Sequence, residues 1–222
     1  METKINEIFP SIQGEGPVVG YKQLFIRFCG CNLNCNYCDT EFLSGETYTS
    51  QELYTEINEK YDLETFHSIS LTGGEPLLSA DFLKEFLPLV QNKTKIYLET
   101  NATLPAEFEK ISDFVDIIAA DIKLQSSTGL DTIKLHKEFF SHCKGIDTFA
   151  KIVFNDKITE NEIDICTNFG QEFRIELVLQ PEMIQDKMSV SSDFCSEILE
   201  KFTSKYKNVR LIPQVHKFID IR

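Results

Sequence analysis

Three closely spaced cysteines are the residues of this chain best suited to chemistry. Cys31, Cys35 and Cys38 form a C-x3-C-x2-C pattern within "CGCNLNCNYCDTEF". Thiolates are soft ligands that suit zinc or an iron–sulfur cluster. A closed site of either kind takes four protein ligands, yet no second C-x2-C follows and the next histidine is His67. The pattern therefore favours a metal cluster with three protein ligands and one position open to a small molecule.

Buried, unreactive thiols are the alternative for these three cysteines, and the short polar loop that carries them disfavours it. The other four cysteines lack the motif. Cys29 belongs to the preceding strand pattern and is expected to be a packed thiol. Cys143, Cys166 and Cys195 fall on separate helical patterns and are expected in the core.

A second motif, "LTGGEPLL" from Leu71 to Leu78, also follows a strand pattern. Paired glycines let a backbone approach a ligand closely. Glu75 and neighbouring carbonyls are therefore candidates to receive an ammonium group. Taken alone, the same residues would indicate only a tight turn from a strand to a helix.

Alternating strand and helix patterns must position these motifs, and they predict a parallel sheet with helical crossovers. The result is an α/β fold, either an incomplete TIM-type barrel or, nearly as compatible, a doubly wound sheet. Cys31 directly follows the first predicted strand, at the edge where such sheets place their chemistry. The predicted strands are 23–30, 67–74, 95–100, 115–123, 148–154, 172–180 and 208–214, and the main predicted helices are 49–61, 80–91, 130–143, 159–170 and 186–202.

Composition narrows the class of protein further. The 222 residues are expected to form a single domain, 1–222. The net charge of -13 argues against a nucleic-acid partner, which would need basic residues for its phosphates. The sequence has no apolar run long enough to cross a bilayer and no signal-like N-terminus, so we expect no membrane partner and a cytoplasmic location. Seven cysteines in a reducing compartment indicate metal or redox chemistry.

The cysteine triad, with Tyr37 before its third member, resembles the radical S-adenosylmethionine superfamily, as does "GGEP". The resemblance implies a 4Fe-4S cluster held by Cys31, Cys35 and Cys38, whose open iron binds S-adenosylmethionine. Reductive cleavage of that cofactor yields a radical that abstracts a hydrogen atom from the substrate.

Three further stretches narrow the resemblance: "FPSIQGEGPVVG" from Phe9, "RFCGCNLNCNYCDT" from Arg27, and "LIPQVHKF" from Leu211. Together they resemble the 7-carboxy-7-deazaguanine synthase family. That family converts 6-carboxy-5,6,7,8-tetrahydropterin into 7-carboxy-7-deazaguanine with loss of ammonia, in 7-deazapurine (queuosine) biosynthesis. It also uses Mg²⁺, and Thr40 matches its metal-contact position. Capping of a turn is the alternative for Thr40.

The family resemblance also implies a set of contact residues. Arg27, a cation within an apolar strand, would hold the substrate carboxylate in two-point geometry, with a structural salt bridge as its alternative. His216 is either a substrate contact or structural. The family carries Ser-Pro-Lys at "DIK", so Asp121 and Ile122 depart from it while Lys123 fits. The implied substrate contacts are Ile12, Gln13, Gly14, Glu15, Arg27, Thr72, His216 and Arg222, and the implied cofactor contacts are Tyr37, Cys38, Asp39, Gly73, Gly74, Glu75, Asp121, Lys123, Gln180 and Gln214.

Two other functions remain open from the sequence. An activating enzyme for a glycyl-radical protein would share the triad but act on a polypeptide, which "IQGEG" and the small size disfavour. A non-enzymatic iron–sulfur carrier or zinc module would need four saturating ligands. The resemblance further implies a flavodoxin or ferredoxin as reductant and a homodimer.

Overall fold

The computed structural model describes residues 1–35, 44–184 and 186–221, and its centre is a nine-stranded sheet. The strand order is β11-β8-β7-β6-β5-β4-β2-β1-β3. A short hairpin, β9 with β10, lies apart from it. The strands are β1 Glu2–Ile12, β2 Lys22–Phe28, β3 Glu46–Thr49, β4 Ser68–Gly73, β5 Lys95–Thr100, β6 Ile117–Ile122, β7 Asp147–Phe154, β8 Glu176–Pro181, β9 Met183–Ile184, β10 Lys187–Met188 and β11 Val209–Leu211.

The sheet progresses in one direction from β2 to β11, and every pairing along that run is parallel. A doubly wound sheet would reverse its strand order at a switch point. Because the described strands show no such reversal, the fold is the incomplete, open barrel of the two alternatives. At the β2 side the sheet is extended by two antiparallel pairings, β1 with β2 and β3 with β1.

Helices connect the parallel strands. Thr49 caps α1 through a capping box with Glu52, and Thr159 caps α6 in the same way with Glu162, as such threonine–glutamate spacings favour. The helices are α1 Ser50–Lys60, α2 Ala80–Val90, α3 Pro105–Glu109, α4 Gln125–Thr128, α5 Ile133–Ser141, α6 Glu160–Phe173, α7 Ser192–Lys205 and α8 Val215–Phe218. None of the described helices is long and apolar enough to cross a bilayer.

Successive side chains of a strand point to opposite faces of the sheet, and buried apolar clusters lie on both faces. A large apolar core contains Ile96, Leu98 and Ile118 with the apolar faces of the helices. A smaller cluster is formed by the alternate residues Tyr97, Ile117, Ala119, Phe149 and Val178. Parallel strands with two buried faces give nearly continuous apolar sequences, as the seven predicted strands do.

All seven predicted strands are present, but the sequence did not predict β1. The first predicted strand began at residue 23, whereas the structure has a strand from Glu2 to Ile12 before it. The charges of β1 and its Pro10 hide it, because only Ile5 and Phe9 are buried among its eleven residues. Strand β8 begins at Glu176 because α6 continues to Phe173, and α7 begins only at Ser192 because β10 occupies Lys187–Met188.

Candidate functional site

The carboxyl ends of the parallel strands surround one cavity of about 530 Å³. Ligand sites of about 300–1,000 Å³ are typical, and this edge is where barrels place them. The cavity is lined by Cys31 and Cys35 after β2, Gly73 and Gly74 at the end of β4, Asp121 and Lys123 around the end of β6, and Gln180 on β8. Two predicted cluster ligands and five predicted cofactor contacts thus line one cavity.

Two of the three motif cysteines lie within the described residues. Cys31 and Cys35 are partly exposed cysteines that are not joined in a disulfide, and both line the cavity. Burial raises the pKa of the Cys31 thiol, while hydrogen bonds from the Leu33 amide and the Asn101 side chain oppose that rise. Four predicted site residues of this loop, Tyr37, Cys38, Asp39 and Thr40, lie outside the described residues, as does Arg222. Cys29 is half-buried, and Cys143, Cys166 and Cys195 are buried, as expected for packed thiols.

The glycine pair holds the end of β4 against the cysteine loop. Gly73 has a φ of +123°, and a Cβ there would lie 2.3 Å from the Phe28 carbonyl oxygen. A Cβ on Gly74 would lie 1.8 Å from the Gly30 carbonyl oxygen. The amides of Gly74 and Glu75 donate to the carbonyls of Phe28 and Gly30 at 3.1 and 2.8 Å. Only glycines allow this approach, which places the Gly73–Gly74 backbone beside Cys31 in the cavity wall.

Glu75 lies behind that wall rather than in it. Its carboxylate is fully buried and accepts hydrogen bonds from the Leu77 amide, the Thr100 hydroxyl and the Asn101 amide, at 3.0, 2.9 and 2.8 Å. Burial raises the pKa of Glu75 to about 7, although these bonds favour the ionised form. The carboxylate therefore ties the β4 loop to the end of β5, and an ammonium group in the cavity would meet the glycine backbone first.

Asp121 and Lys123 also line the cavity, around the carboxyl end of β6. Lys123 Nζ lies 2.8 Å from Asp121 Oδ2. Among the described residues, neither Asp121 Oδ1 nor Gln180 Oε1 has a hydrogen-bond partner, and both atoms are buried. The buried His136 ring accepts from the Lys123 amide at Nε2 and donates from Nδ1 to the Ala102 carbonyl, at 3.0 and 3.2 Å. Burial lowers the pKa of His136 to about 4, so it supports this wall as a neutral ring.

Glu15 and Lys151 both line the cavity and form an ion pair with each other. Lys151 Nζ lies 2.7 Å from Glu15 Oε2 and 3.4 Å from Asp121 Oδ2. Gln214 Nε2 donates to Glu15 Oε1 at 2.6 Å. Burial works to raise the pKa of Glu15, but Lys151 and Gln214 outweigh it and lower the pKa to about 2. Burial likewise opposes the charge of Lys151, and the surrounding carboxylates nevertheless hold its pKa well above the ordinary value.

Gln13 and Thr72 both bind Glu99, a carboxylate that lines the same cavity. Gln13 Nε2 and Thr72 Oγ1 donate to Glu99 at 2.8 and 2.9 Å. Gln13 Nε2 also donates to Gln23 Oε1, and Gln13 Oε1 accepts from the Glu15 amide, both at 2.9 Å. Because the polar atoms of the Gln13 side chain are engaged inside the protein, this residue chiefly positions Glu15 and Glu99.

Arg27 lines the cavity next to Thr72, its register partner on β4. Its Nε lies 3.4 Å from Glu7 Oε2 on β1, and its guanidinium lies 5.7 Å from the Phe9 ring centre. This is the only ion pair that Arg27 makes with the described residues. Its side chain is 24% exposed, so the guanidinium borders the cavity while one edge is held by Glu7.

The C-terminal segment closes the Glu15 side. A Cβ on Gly14 would lie 2.1 Å from His216 Nδ1, so only glycine leaves space for that ring. The Val215 amide donates to the Gly14 carbonyl at 2.9 Å. Ile12, Gly14, Gln214 and His216 all line the cavity. The two ends of the chain thus meet at the expected substrate contacts.

Comparisons with known proteins agree with this geometry. The Radical SAM superfamily matches residues 25–139. The 7-carboxy-7-deazaguanine synthase of Methanothermobacter thermautotrophicus is 35% identical, covering 100% of this chain and 99% of that protein. The enzyme of the same name from Geobacter sulfurreducens is 33% identical, covering 97% and 96%. This chain belongs to the 7-carboxy-7-deazaguanine synthase family.

The crystal structure of QueE from Escherichia coli has the same fold, with a TM-score of 0.67 and 21% sequence identity over 97% of this chain and 95% of that one. Membership of the Radical SAM superfamily implies a 4Fe-4S cluster and S-adenosylmethionine. The cavity of this family member fits both groups. Two accessible thiols provide soft ligands, and the unpartnered Asp121 Oδ1 and Gln180 Oε1 are acceptors suited to hydroxyl or amino groups of a nucleoside.

Sequence reasoning missed four residues of this site: Glu99, Asn101, His136 and Lys151. Lys151 offered a usable signal, because a cation within the apolar stretch "TFAKIVF" needs a buried partner, as Arg27 does in its strand. Glu99 offered the same signal in "KIYLET". His136 and Asn101 offered none, since their roles depend on contacts with residues distant in the chain.

Proposed function

We propose that this chain converts 6-carboxy-5,6,7,8-tetrahydropterin into 7-carboxy-7-deazaguanine with loss of ammonia, within 7-deazapurine (queuosine) biosynthesis. One observation carries the proposal: a single cavity joins the cysteine loop to the charged residues Arg27 and Glu15. A small, anionic, nitrogen-rich substrate fits that lining. A glycyl-radical activating enzyme would instead have to admit a polypeptide segment.

Cys31, Cys35 and Cys38 would hold the cluster, and the Gly73–Gly74 backbone would accept the ammonium group of S-adenosylmethionine. When bound, the cluster and this cofactor together supply the radical that abstracts a hydrogen atom from the substrate. Asp121 and Gln180 would accept hydrogen bonds from the nucleoside, and Lys123 would hold Asp121 in place through their ion pair. The implied contacts of Tyr37, Asp39 and Gln214 stay predictions; Gln214 donates to Glu15 here.

Glu15 and Glu99 are suited to the guanidine-like edge of a pterin. Both are carboxylates on the cavity wall, and ionised carboxylates only accept hydrogen bonds. Lys151 keeps Glu15 ionised throughout the physiological range. A pterin edge that presents adjacent N–H donors is complementary to such acceptors. We assign Ile12, Gly14, Thr72 and His216 to the surrounding wall, and Gln13 to the support of both carboxylates.

Arg27, which lines the same cavity, would bind the substrate carboxylate. A guanidinium and a carboxylate can form two parallel hydrogen bonds, which fixes orientation as well as position. The salt bridge from Glu7 Oε2 to the Nε of Arg27, at 3.4 Å, also orients the guanidinium. The structural alternative for Arg27 and its binding role are therefore compatible.

Several finer assignments rest on the family alone. We propose Mg²⁺ held partly by Thr40, since a hydroxyl is a hard oxygen ligand, with substrate and water completing the shell. We also propose a flavodoxin or ferredoxin as reductant, a homodimer, a substrate contact by Arg222, a cytoplasmic location, and one functional domain over 1–222. The continuous sheet from Glu2 to Leu211 supports the single domain.

Anaerobic reconstitution followed by turnover tests the proposal. With 6-carboxytetrahydropterin, reductant and Mg²⁺, we expect 7-carboxy-7-deazaguanine, ammonia and a cofactor-derived deoxyadenosine signal above the substrate-free background. A tetrahydropterin without the 6-carboxyl group is the matched control and should give little product. A chain that forms the cluster and binds S-adenosylmethionine, yet leaves the carboxypterin unchanged, would refute the substrate assignment.

A further inference from the structure

A ring of three side-chain hydrogen bonds joins the cysteine loop to the residues after β5. Asn101 Nδ2 donates to Asn32 Oδ1 at 2.8 Å, and Asn32 Nδ2 donates to Thr103 Oγ1 at 2.9 Å. Thr103 Oγ1 donates to Asn101 Oδ1 at 2.5 Å and completes the ring. Asn32 follows Cys31 directly, so the ring fixes the start of the loop that carries the cluster ligands.

The orientation of the Asn101 amide is determined by its neighbours. Its Oδ1 also accepts from the Thr103 backbone amide at 3.1 Å, and a backbone N–H can only donate. The Nδ2 group must therefore face Asn32 and Cys31. One of its hydrogens is used by Asn32, and Nδ2 lies 3.8 Å from Cys31 Sγ, within hydrogen-bond range for sulfur.

The backbone of Asn101 is held in place as well as its side chain. Its amide donates to the buried carboxylate of Glu75 at 2.8 Å, and the side chain itself is buried. Cys31 Sγ also accepts from the Leu33 amide at 3.4 Å, which belongs to the cysteine loop itself. Among the described residues, Asn101 thus donates to the sulfur with a side chain from outside the cysteine loop. Its position is fixed by contacts within the protein, before any ligand binds.

We propose that Asn101 is a positioning residue that sets the reduction potential of the iron–sulfur cluster through its N–H···S hydrogen bond to Cys31. Reduction adds negative charge to the cluster and its thiolate ligands. A hydrogen-bond donor at a ligand sulfur stabilises the reduced form more than the oxidised form, and so raises the potential. Asn101 therefore makes the electron transfer that starts turnover less demanding on the reductant.

A redox titration of the reconstituted cluster, followed by electron paramagnetic resonance before S-adenosylmethionine is added, tests this role. Asn101→Leu removes the donor without adding charge. We expect the equilibrium constant for one-electron reduction to fall about three- to tenfold, a decrease of about 30–60 mV at about 59 mV per tenfold change. Four irons per chain, measured in the same sample, show that the cluster is intact and keep this result separate from the pterin assignment.

Thr103→Val is the matched control. It breaks the ring at Thr103 Oγ1 but retains the Thr103 amide and the Asn101 donor, so its potential should stay within a twofold change of the parent equilibrium constant. Equal shifts in the two variants, or an unchanged potential in Asn101→Leu with full iron content, would overturn the proposal. If Asn101→Leu takes up no cluster, the parent protein with ¹⁵N-labelled asparagine side chains decides: a nitrogen hyperfine coupling to the reduced cluster supports the bond, and its absence refutes it.

Discussion

Lys151 is the buried cation on which the charged wall of the cavity depends, and Lys151→Met tests that dependence. The side chains of Lys151 and Glu15 are each 16% exposed, and their charged atoms lie 2.7 Å apart. Methionine keeps most of the length and apolar volume of lysine but carries no charge. The substitution leaves Glu15, and in part Asp121, as carboxylates without their shared counter-ion.

The magnitude follows from the pKa of Glu15. Its fall from 4.5 to about 2 in the folded protein corresponds to about 3 kcal/mol, at about 1.36 kcal/mol for each pH unit of displacement. Removing one partner of a buried ion pair typically costs about 3–5 kcal/mol. Since both side chains retain some exposure, we expect Lys151→Met to lower the free energy of unfolding by about 3 kcal/mol at pH 7.

The stability lost in Lys151→Met should depend on pH, and the lowered pKa of Glu15 sets the direction of that dependence. A carboxylate whose pKa is lowered by folding contributes stability above its unfolded pKa, and loses that contribution as the pH falls through its folded pKa. For Glu15 the window runs from about 4.5 down to about 2. The difference between parent and variant should therefore be full at pH 7 and shrink as the pH falls through this window. Anaerobic urea denaturation of the apo-protein at pH 7 and pH 3 measures it.

Lys144→Met is the matched control, because Lys144 is exposed and follows α5 away from the cavity. We expect a change within about 0.5 kcal/mol, as for most surface substitutions. The reasoning fails if both variants lose the same stability, or if the deficit of Lys151→Met is as large at pH 3 as at pH 7.

Three further sets of substitutions test the cluster, metal and substrate residues. Alanine at any of the three motif cysteines, Cys31, Cys35 or Cys38, should abolish reductive deoxyadenosine formation, whereas Cys166→Ala should retain it; activity in Cys35→Ala would exclude that ligand. Thr40→Ala should weaken the Mg²⁺ dependence of turnover at unchanged iron content, and an unchanged Mg²⁺ titration would leave Thr40 a turn residue. Arg27→Lys keeps the charge but loses the planar fork, so substrate affinity should fall about ten- to a hundredfold, for about 1.5–3 kcal/mol, with cofactor affinity unchanged. Equal losses for both ligands would make Arg27 structural.

The sequence predicted the parallel part of the fold because its strands are buried on both faces. Apolar runs such as "KIYLET" and "TFAKIVF" are continuous, and they match β5 and β7 closely. Strand β1 escaped prediction because it is antiparallel, half-exposed and interrupted by Pro10, which lies where β1 pairs with β2 alone. Local patterns thus identify a strand only where burial dominates its composition.

Site residues were predictable where the chemistry is local. Spacing within a few residues identifies Cys31, Cys35 and the glycine pair as site residues. Glu75 shows the limit of this reasoning, since its buried carboxylate accepts hydrogen bonds from Leu77, Thr100 and Asn101. Its contact with the cofactor stays a prediction. His136 and Asn101 act on residues that are 13 and 70 positions away, and no pattern along the chain records such a contact.

Asp121 shows how a local departure from the family can have a non-local reason. It is the register partner of Lys151 on the neighbouring strand, and its Oδ2 contacts both Lys123 and Lys151. A serine in its place would remove the carboxylate that Lys123 and Lys151 share, while Lys151 would keep its ion pair with Glu15. The charge of Asp121 therefore balances the lysines, and its second oxygen remains available to a bound ligand. The carboxylate is then both a counter-ion and a candidate cofactor contact, because its two oxygens face different neighbours.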